Sequence, residues 1–213
     1  MKLSKGLCAV LLSIFVGSLL CVSAAAQTEI AKAQFTTSFS YLNTARNSIN
    51  QRGFEMSGGY NLLKWLTVGG DFCQYSGAGH QWTALPPGLG VSSVAIPFDA
   101  TTYTMAVGTK FLLRRNKWVV PYVRPGLGLV HETATPKMPA GMPSSFQALL
   151  PPSKGEWRMF YGAGGGVEIH HVVPHMAVIV VSDYLRARLF AQDTNSYRIS
   201  AGLSYLFGSK TVR

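Results

Sequence analysis

Several residue groups in the 213-residue chain have the types that chemistry uses. His170, His171 and His175 bracket Pro174, close enough for three imidazoles to share a metal ion. A metal site, however, needs ligands converging in a fixed, near-tetrahedral arrangement. Adjacent residues of an extended chain point to opposite faces, so these read as turn residues. Gly162 to Gly166 has the look of a phosphate cradle, but that mechanism requires a helix N-terminus directly afterwards, and strand-like alternation continues through Glu168 and Ile169 instead. His131 and Glu132, with the serines of the loops, suggest an acid orienting an imidazole that activates a hydroxyl. As neighbours on one strand they face opposite ways, and His80 would have to come from another loop. Cys73 is read as a small packed residue. Lysines and arginines do not interleave with stacking aromatics, which excludes a nucleic-acid surface, and Arg114, Arg115 and Lys117 read as a solvated turn. No catalytic residue, metal site or cofactor site follows, and the chain is expected not to be an enzyme.

The elements that would carry these residues come from composition and periodicity. Hydrophobic residues make up 47% of the chain and charged residues only 13%, against roughly a quarter charged in ordinary soluble domains. So little charge cannot cover a water-facing globule. The one long apolar run lies at the N-terminus, which excludes a helical membrane bundle. Elsewhere apolar and small or polar residues alternate: Tyr197, Ile199, Ala201, Leu203, Tyr205 and Phe207 share one face, while Arg198, Ser200, Gly202 and Ser204 share the other. Period two over ten residues or more predicts strands. Eight such segments are expected, at about 33–43, 51–61, 65–75, 101–113, 118–132, 156–169, 175–187 and 196–207. Connections after the second, fourth and sixth are short. Those after the first, third, fifth and seventh are longer, notably 76–100 and 133–155.

Lys2 and Lys5, the apolar run Leu7 to Val22, and Ala24 to Ala26 have the three regions of a secretory signal, so residues 1–26 are expected to be a signal peptide and 27–213 the folded domain. Cys73 would then be the sole remaining thiol, leaving no internal disulfide to brace an exported domain. An even strand number, alternating loop lengths, an apolar outer face and rings near strand ends specify an all-β, closed, antiparallel, eight-stranded transmembrane β-barrel. Tyr60, Trp65, Trp118, Tyr205 and Phe207 form one interfacial girdle, and Tyr41, Tyr103, Trp157, Tyr184 and Tyr197 the other.

The phrases Ser38-Phe39-Ser40-Tyr41-Leu42, Trp65-Leu66-Thr67-Val68-Gly69-Gly70-Asp71-Phe72, Gly162-Ala163-Gly164-Gly165-Gly166-Val167-Glu168, Asp183-Tyr184-Leu185 and Ser200-Ala201-Gly202-Leu203-Ser204-Tyr205-Leu206-Phe207 carry a resemblance. Together with the Arg114-Arg115-Asn116-Lys117 turn, they make residues 33–207 similar to the small OmpA-like outer-membrane β-barrel proteins. The resemblance implies the outer membrane of a Gram-negative bacterium. Members of that family differ mainly in their loops, so it leaves activity open.

With the apolar face toward lipid, Glu55, Asp71, Lys110, Arg124, Arg158, Glu168, Asp183 and Arg198 point inward. A lumen this narrow is filled by side chains, and buried charges must be paired. The expectation is a charge-filled interior and a structural or surface-interaction role, with a narrow or gated pore as the alternative and an outer-leaflet lipid-modifying enzyme as the third reading. Arg186 and Arg188 continue the lipid-facing phase beyond Tyr184, where they would meet outer-membrane lipid and the phosphates of lipopolysaccharide. The apolar long loops, with Trp82, Leu85, Phe146 and Leu149, either cap the barrel or offer contacts to a surface ligand.

Overall fold

A computed structural model describes residues 29–44, 49–84, 93–138, 150, 152–208 and 210–211. Eight strands close on themselves: β2 (Ala33–Thr44), β3 (Ile49–Leu63), β4 (Leu66–Ala84), β5 (Ser93–Leu112), β6 (Val119–Pro136), β7 (Lys154–Val173), β8 (Met176–Leu189) and β9 (Gln192–Phe207). Each pairs antiparallel with its sequence neighbour, and β9 returns to β2 from Ala33↔Phe207 through to Thr44↔Ser196. A two-residue ribbon of β1 (Glu29–Ile30) and β10 (Lys210–Thr211) lies apart from the barrel sheet.

Period two divides every strand. Outward residues are large and apolar, including Phe39 at 63% and Met159 at 69% exposure. Such an outer surface requires hydrocarbon around it. Rings ornament both rims: Trp65 stacks on Phe111, and Tyr205 meets Phe207 edge-on, near the turns at 64–65 and 174–175. Tyr103, His131 and Trp157 form a row near the other, distal rim, where Tyr184 also meets Tyr197. The inward residues stack in layers. Leu112, Val120, Tyr122, Ile179 and Val181 fill the end near the turns. Leu42, Tyr75, Val130, Phe160, Leu185 and Leu189 lie farther along. Ile49, Phe98 and Ala100 pack at the distal end. Between the first two layers come the charged residues.

The strands run much farther at the distal end than alternation alone indicates. Most of 76–100 is strand, and 133–155 yields residues at both its ends: β4 and β5 pair as far as Ala84↔Ser93, and β6 and β7 as far as Ala134↔Lys154. Trp82 accordingly belongs to a strand, while Leu85, Phe146 and Leu149 lie outside the described residues. The glycines and prolines that read as breakers sit where a ladder tolerates them. Pro97 stands where the β5–β6 ladder ends, at Phe98↔Pro136, and its carbonyl still accepts from the Lys137 N–H at 2.7 Å. At the end of a ladder a missing donor interrupts no further pairing. The β5–β6 ladder does lapse between Gly108↔Gly126 and Phe111↔Val123, where Pro125 has no N–H to give.

The connection after the seventh barrel strand is also shorter than expected, a two-residue turn at Phe190–Ala191. Both residues have positive φ, 49° and 60°, the requirement of the hairpin turn that matches strand twist. Phe190 offsets this cost by donating its N–H to Glu156 Oε2 and packing on the Phe160 layer. Ala191 has no such compensation. Ala191→Gly should therefore stabilise the barrel, by up to about 1 kcal/mol, read as a higher urea midpoint of tryptophan fluorescence in micelles.

Candidate functional site in the lumen

Arg124, Gly164, Asp183 and Arg198 occupy consecutive cross-strand positions on β6, β7, β8 and β9. All four face inward. Because Gly164 has no side chain, the Arg124 guanidinium crosses above it and grips Asp183 with two bonds, Nε to Oδ1 at 2.8 Å and Nη2 to Oδ2 at 2.5 Å. From the other side Arg198 Nε donates to Asp183 Oδ2 at 2.7 Å. A Cβ at position 164 would collide with Asp183 Oδ1 and with the Ser182 carbonyl.

The two arginines extend the network across the barrel. Arg124 Nη1 reaches Glu55 Oε1 at 3.1 Å, and Glu55 Oε2 accepts from Ser200 Oγ at 2.7 Å. Arg198 Nη1 reaches Asp71 Oδ1 at 3.3 Å and Cys73 Sγ at 2.9 Å. Ser200 pairs with Ser40, which also meets the Tyr75 hydroxyl. Glu55 is 1% exposed, so its carboxylate depends on these partners and not on water. Nearer the turns a separate pair forms, Lys110 Nζ to Glu168 Oε1 at 3.1 Å, with His170 Nε2 3.3 Å from the other oxygen. Below it Arg114 donates from Nε to the Lys64 carbonyl at 2.8 Å. Burial lowers the Arg114 pKa while Glu168 acts in the opposite sense; a guanidinium stays charged regardless.

Seven of the eight inward charges named from alternation thus meet in the lumen, in two groups. Arg158 does not. It shares the inward phase but lies at the distal rim with its side chain 51% exposed, paired to Glu156 on its own strand. Phase specifies the face a residue takes and says nothing of its height. Arg186 and Arg188 point outward, and Arg186 Nη2 donates to Asp193 Oδ2 at 3.0 Å.

The other chemistry-bearing residues are separated as well. His131 stands outward between Tyr103 and Trp157, whereas Glu132 is inward, so they form no relay. His170 is inside, His171 lies outside against Trp118, and His175 is in the turn. Glu55, Asp71 and Cys73 do bring potential ligand atoms within 4.8 Å of one another. The cationic places around them are taken by Arg124 and Arg198. Alongside the network, Gly59, Gly69, Gly108, Gly126 and Gly162 thin the wall, and the space there amounts to about 590 Å³ with its open surroundings included. Glu132, Thr102 and Thr104 form a further inward group that reading Glu132 only with His131 overlooked, although their even-numbered phase was visible.

A closed eight-stranded barrel with an apolar exterior, two ring belts and an ion-paired interior is a small integral β-barrel of the outer membrane. The chain belongs to the family described as the outer membrane protein beta-barrel domain, which it matches over residues 12–207, and its place is the Gram-negative outer membrane. No curated protein matches the sequence. Among solved structures it is similar to Neisserial surface protein A, at 16% identity and a TM-score of 0.55, over 86% of this chain and 99% of that one. It is similar to OprG of Pseudomonas aeruginosa, at 10% identity and a TM-score of 0.52, over 86% and 98%. It is also similar to the attachment invasion locus protein Ail of Yersinia pestis, at 17% identity and a TM-score of 0.50, over 83% and 99%. At these identities the likeness is one of fold.

Removing one member of the lumen network strands its partners. Arg124→Ala is expected to cost about 3–5 kcal/mol, whereas Lys137→Ala, which loses only the exposed pair with Asp99, should cost less than about 1 kcal/mol. Gly164→Ala should behave like the Arg124 variant. Urea unfolding in detergent measures all three, and equal small losses would show that the network does not hold the barrel.

Proposed function

We propose that the protein is a non-catalytic outer-membrane barrel with a sealed lumen and a structural or surface-interaction role, its distal end facing outward. The observation that carries this reading is the Arg124–Asp183–Arg198 bridge, with Glu55 and Asp71 joined to its two ends. It is bounded on both sides by apolar layers. An ion moving along the axis would have to break several desolvated charge pairs at once. The space beside the network favours a narrow pore as the second reading. Planar bilayers decide between them: the purified barrel should show no steady conductance, and an Arg124→Ala, Arg198→Ala double variant should leak. Steady, ion-selective steps from the unaltered protein would establish the pore.

The solved structure of Ail holds sucrose octasulfate, a heparin analogue, which supports looking for a ligand at the outward end here. The outer leaflet also supplies a partner. Arg186 and Arg188 lie just beyond the Tyr184–Tyr197 belt on the lipid side, at the height of lipopolysaccharide phosphates, which guanidinium groups bind with paired, charge-assisted hydrogen bonds. Changing both to Ala should lower the lipopolysaccharide retained through purification, while changing Arg114 and Arg115 should not. Unaltered retention in the first variant would leave these arginines as solubilising groups.

A further inference from the structure

The lumen layer just beyond the ion network, around Leu42, Phe160 and Leu185, holds a cavity that the network does not use. It offers about 350 Å³ of space with its open mouth included, and is lined by Phe160, Leu185 and Leu189, by Thr102 and Thr104, and by Thr44, Thr194 and Ser196. Glu132 stands in the same wall and is 8% exposed. Among the described residues no cation and no hydrogen-bond donor meets its carboxylate, in contrast to every carboxylate of the central network.

The neighbours of Glu132 sharpen that contrast. Thr102 lies directly opposite it on β5, and Glu156 directly opposite on β7. Two acids facing each other across a ladder repel. Glu156 is relieved by Arg158 and by the Phe190 N–H, while Glu132 is left facing the cavity. The Oγ1 atoms of Thr102 and Thr104 are likewise buried without a partner. Buried polar atoms in folded proteins are nearly always satisfied. An unneutralised acid beside two such hydroxyls, in a recess whose other hydroxyls (Thr44, Thr194 and Ser196) are already bonded and whose remaining lining is apolar, is a place built for something else to complete.

We propose that this recess binds a small organic cation, a primary ammonium on a short hydrocarbon chain. An ammonium group brings three N–H donors and one positive charge, which suit the Glu132 carboxylate and the two threonine hydroxyls. The hydrocarbon chain lies against Phe160, Leu185 and Leu189. A hard metal ion fits less well, since calcium takes six to eight oxygen ligands, while the remaining hydroxyls of the lining, Thr44, Ser196 and Thr194, are already hydrogen-bonded and the leucine and phenylalanine walls supply none. The site lies beyond the Arg124–Asp183–Arg198 bridge and does not depend on whether the lumen conducts.

Calorimetric titration of the intact barrel in non-ionic micelles with n-propylammonium chloride tests the proposal, with sodium propionate and calcium chloride as controls. The barrel should bind n-propylammonium saturably and neither control. Glu132→Gln should weaken binding at least tenfold, the Thr102→Val, Thr104→Val double variant severalfold, and Asp99→Asn not at all. Folding of each is checked by gel mobility without heating, and if Glu132→Gln does not fold, the threonine variant decides. Absence of saturable binding, propionate or calcium binding as well as the amine, or unchanged affinity in the folded variants overturns the site.

Discussion

Every other feature of this barrel depends on the need to satisfy the backbone within lipid. Hydrocarbon offers no partner to an N–H or a carbonyl, so a sheet that enters it must close. Closure here is the pairing of β2 with β9, between segments at opposite ends of the chain. With the sheet closed, the alternation of side chains acquires two distinct destinations. Phe39, Val107, Met159 and Leu203 go to lipid, while Ser40, Glu55, Glu168 and Ser200 go to an interior only wide enough for side chains. Charge inside such a space has no water to turn to and must be matched locally.

That matching gives the lumen its character. Asp183 is shared by two guanidinium groups, each of which also holds a second carboxylate, so the bridge ties together β3, β4, β6, β8 and β9. It depends equally on a residue with no side chain. Gly164 leaves open the path along which Arg124 reaches its partner two strands away. The same scheme of paired charge between apolar layers makes Glu132 conspicuous, because it follows the phase and the burial of the network without sharing its pairing.

Much of this was legible in advance. The eight strands, the outward apolar face and the two ring belts follow from period two and from the placement of Trp and Tyr. The distal extensions were not legible, because Gly77, Gly79, Pro97 and Pro136 have the composition of loops. Whether a proline ends a strand depends on where in the ladder its missing N–H falls, and Pro97 stands at the end of the β5–β6 ladder, with its carbonyl still bonded to the Lys137 N–H. Arg158 shows a related limit: its inward phase was right, yet it projects at the rim and pairs with Glu156.

Alternation along a single strand is a local property, and it was enough to determine the class of fold, the face each residue takes and the residues that must share the interior. The height of each side chain and the identity of its partner were decided by tertiary structure alone. Glu55 and Arg124, or Arg198 and Asp71, come together across the barrel from positions 69 and 127 residues apart. Their meeting depends on the stagger accumulated strand by strand around the closed sheet. Period two records which way a side chain points, but that stagger is a property of the whole ladder, and no single segment contains it.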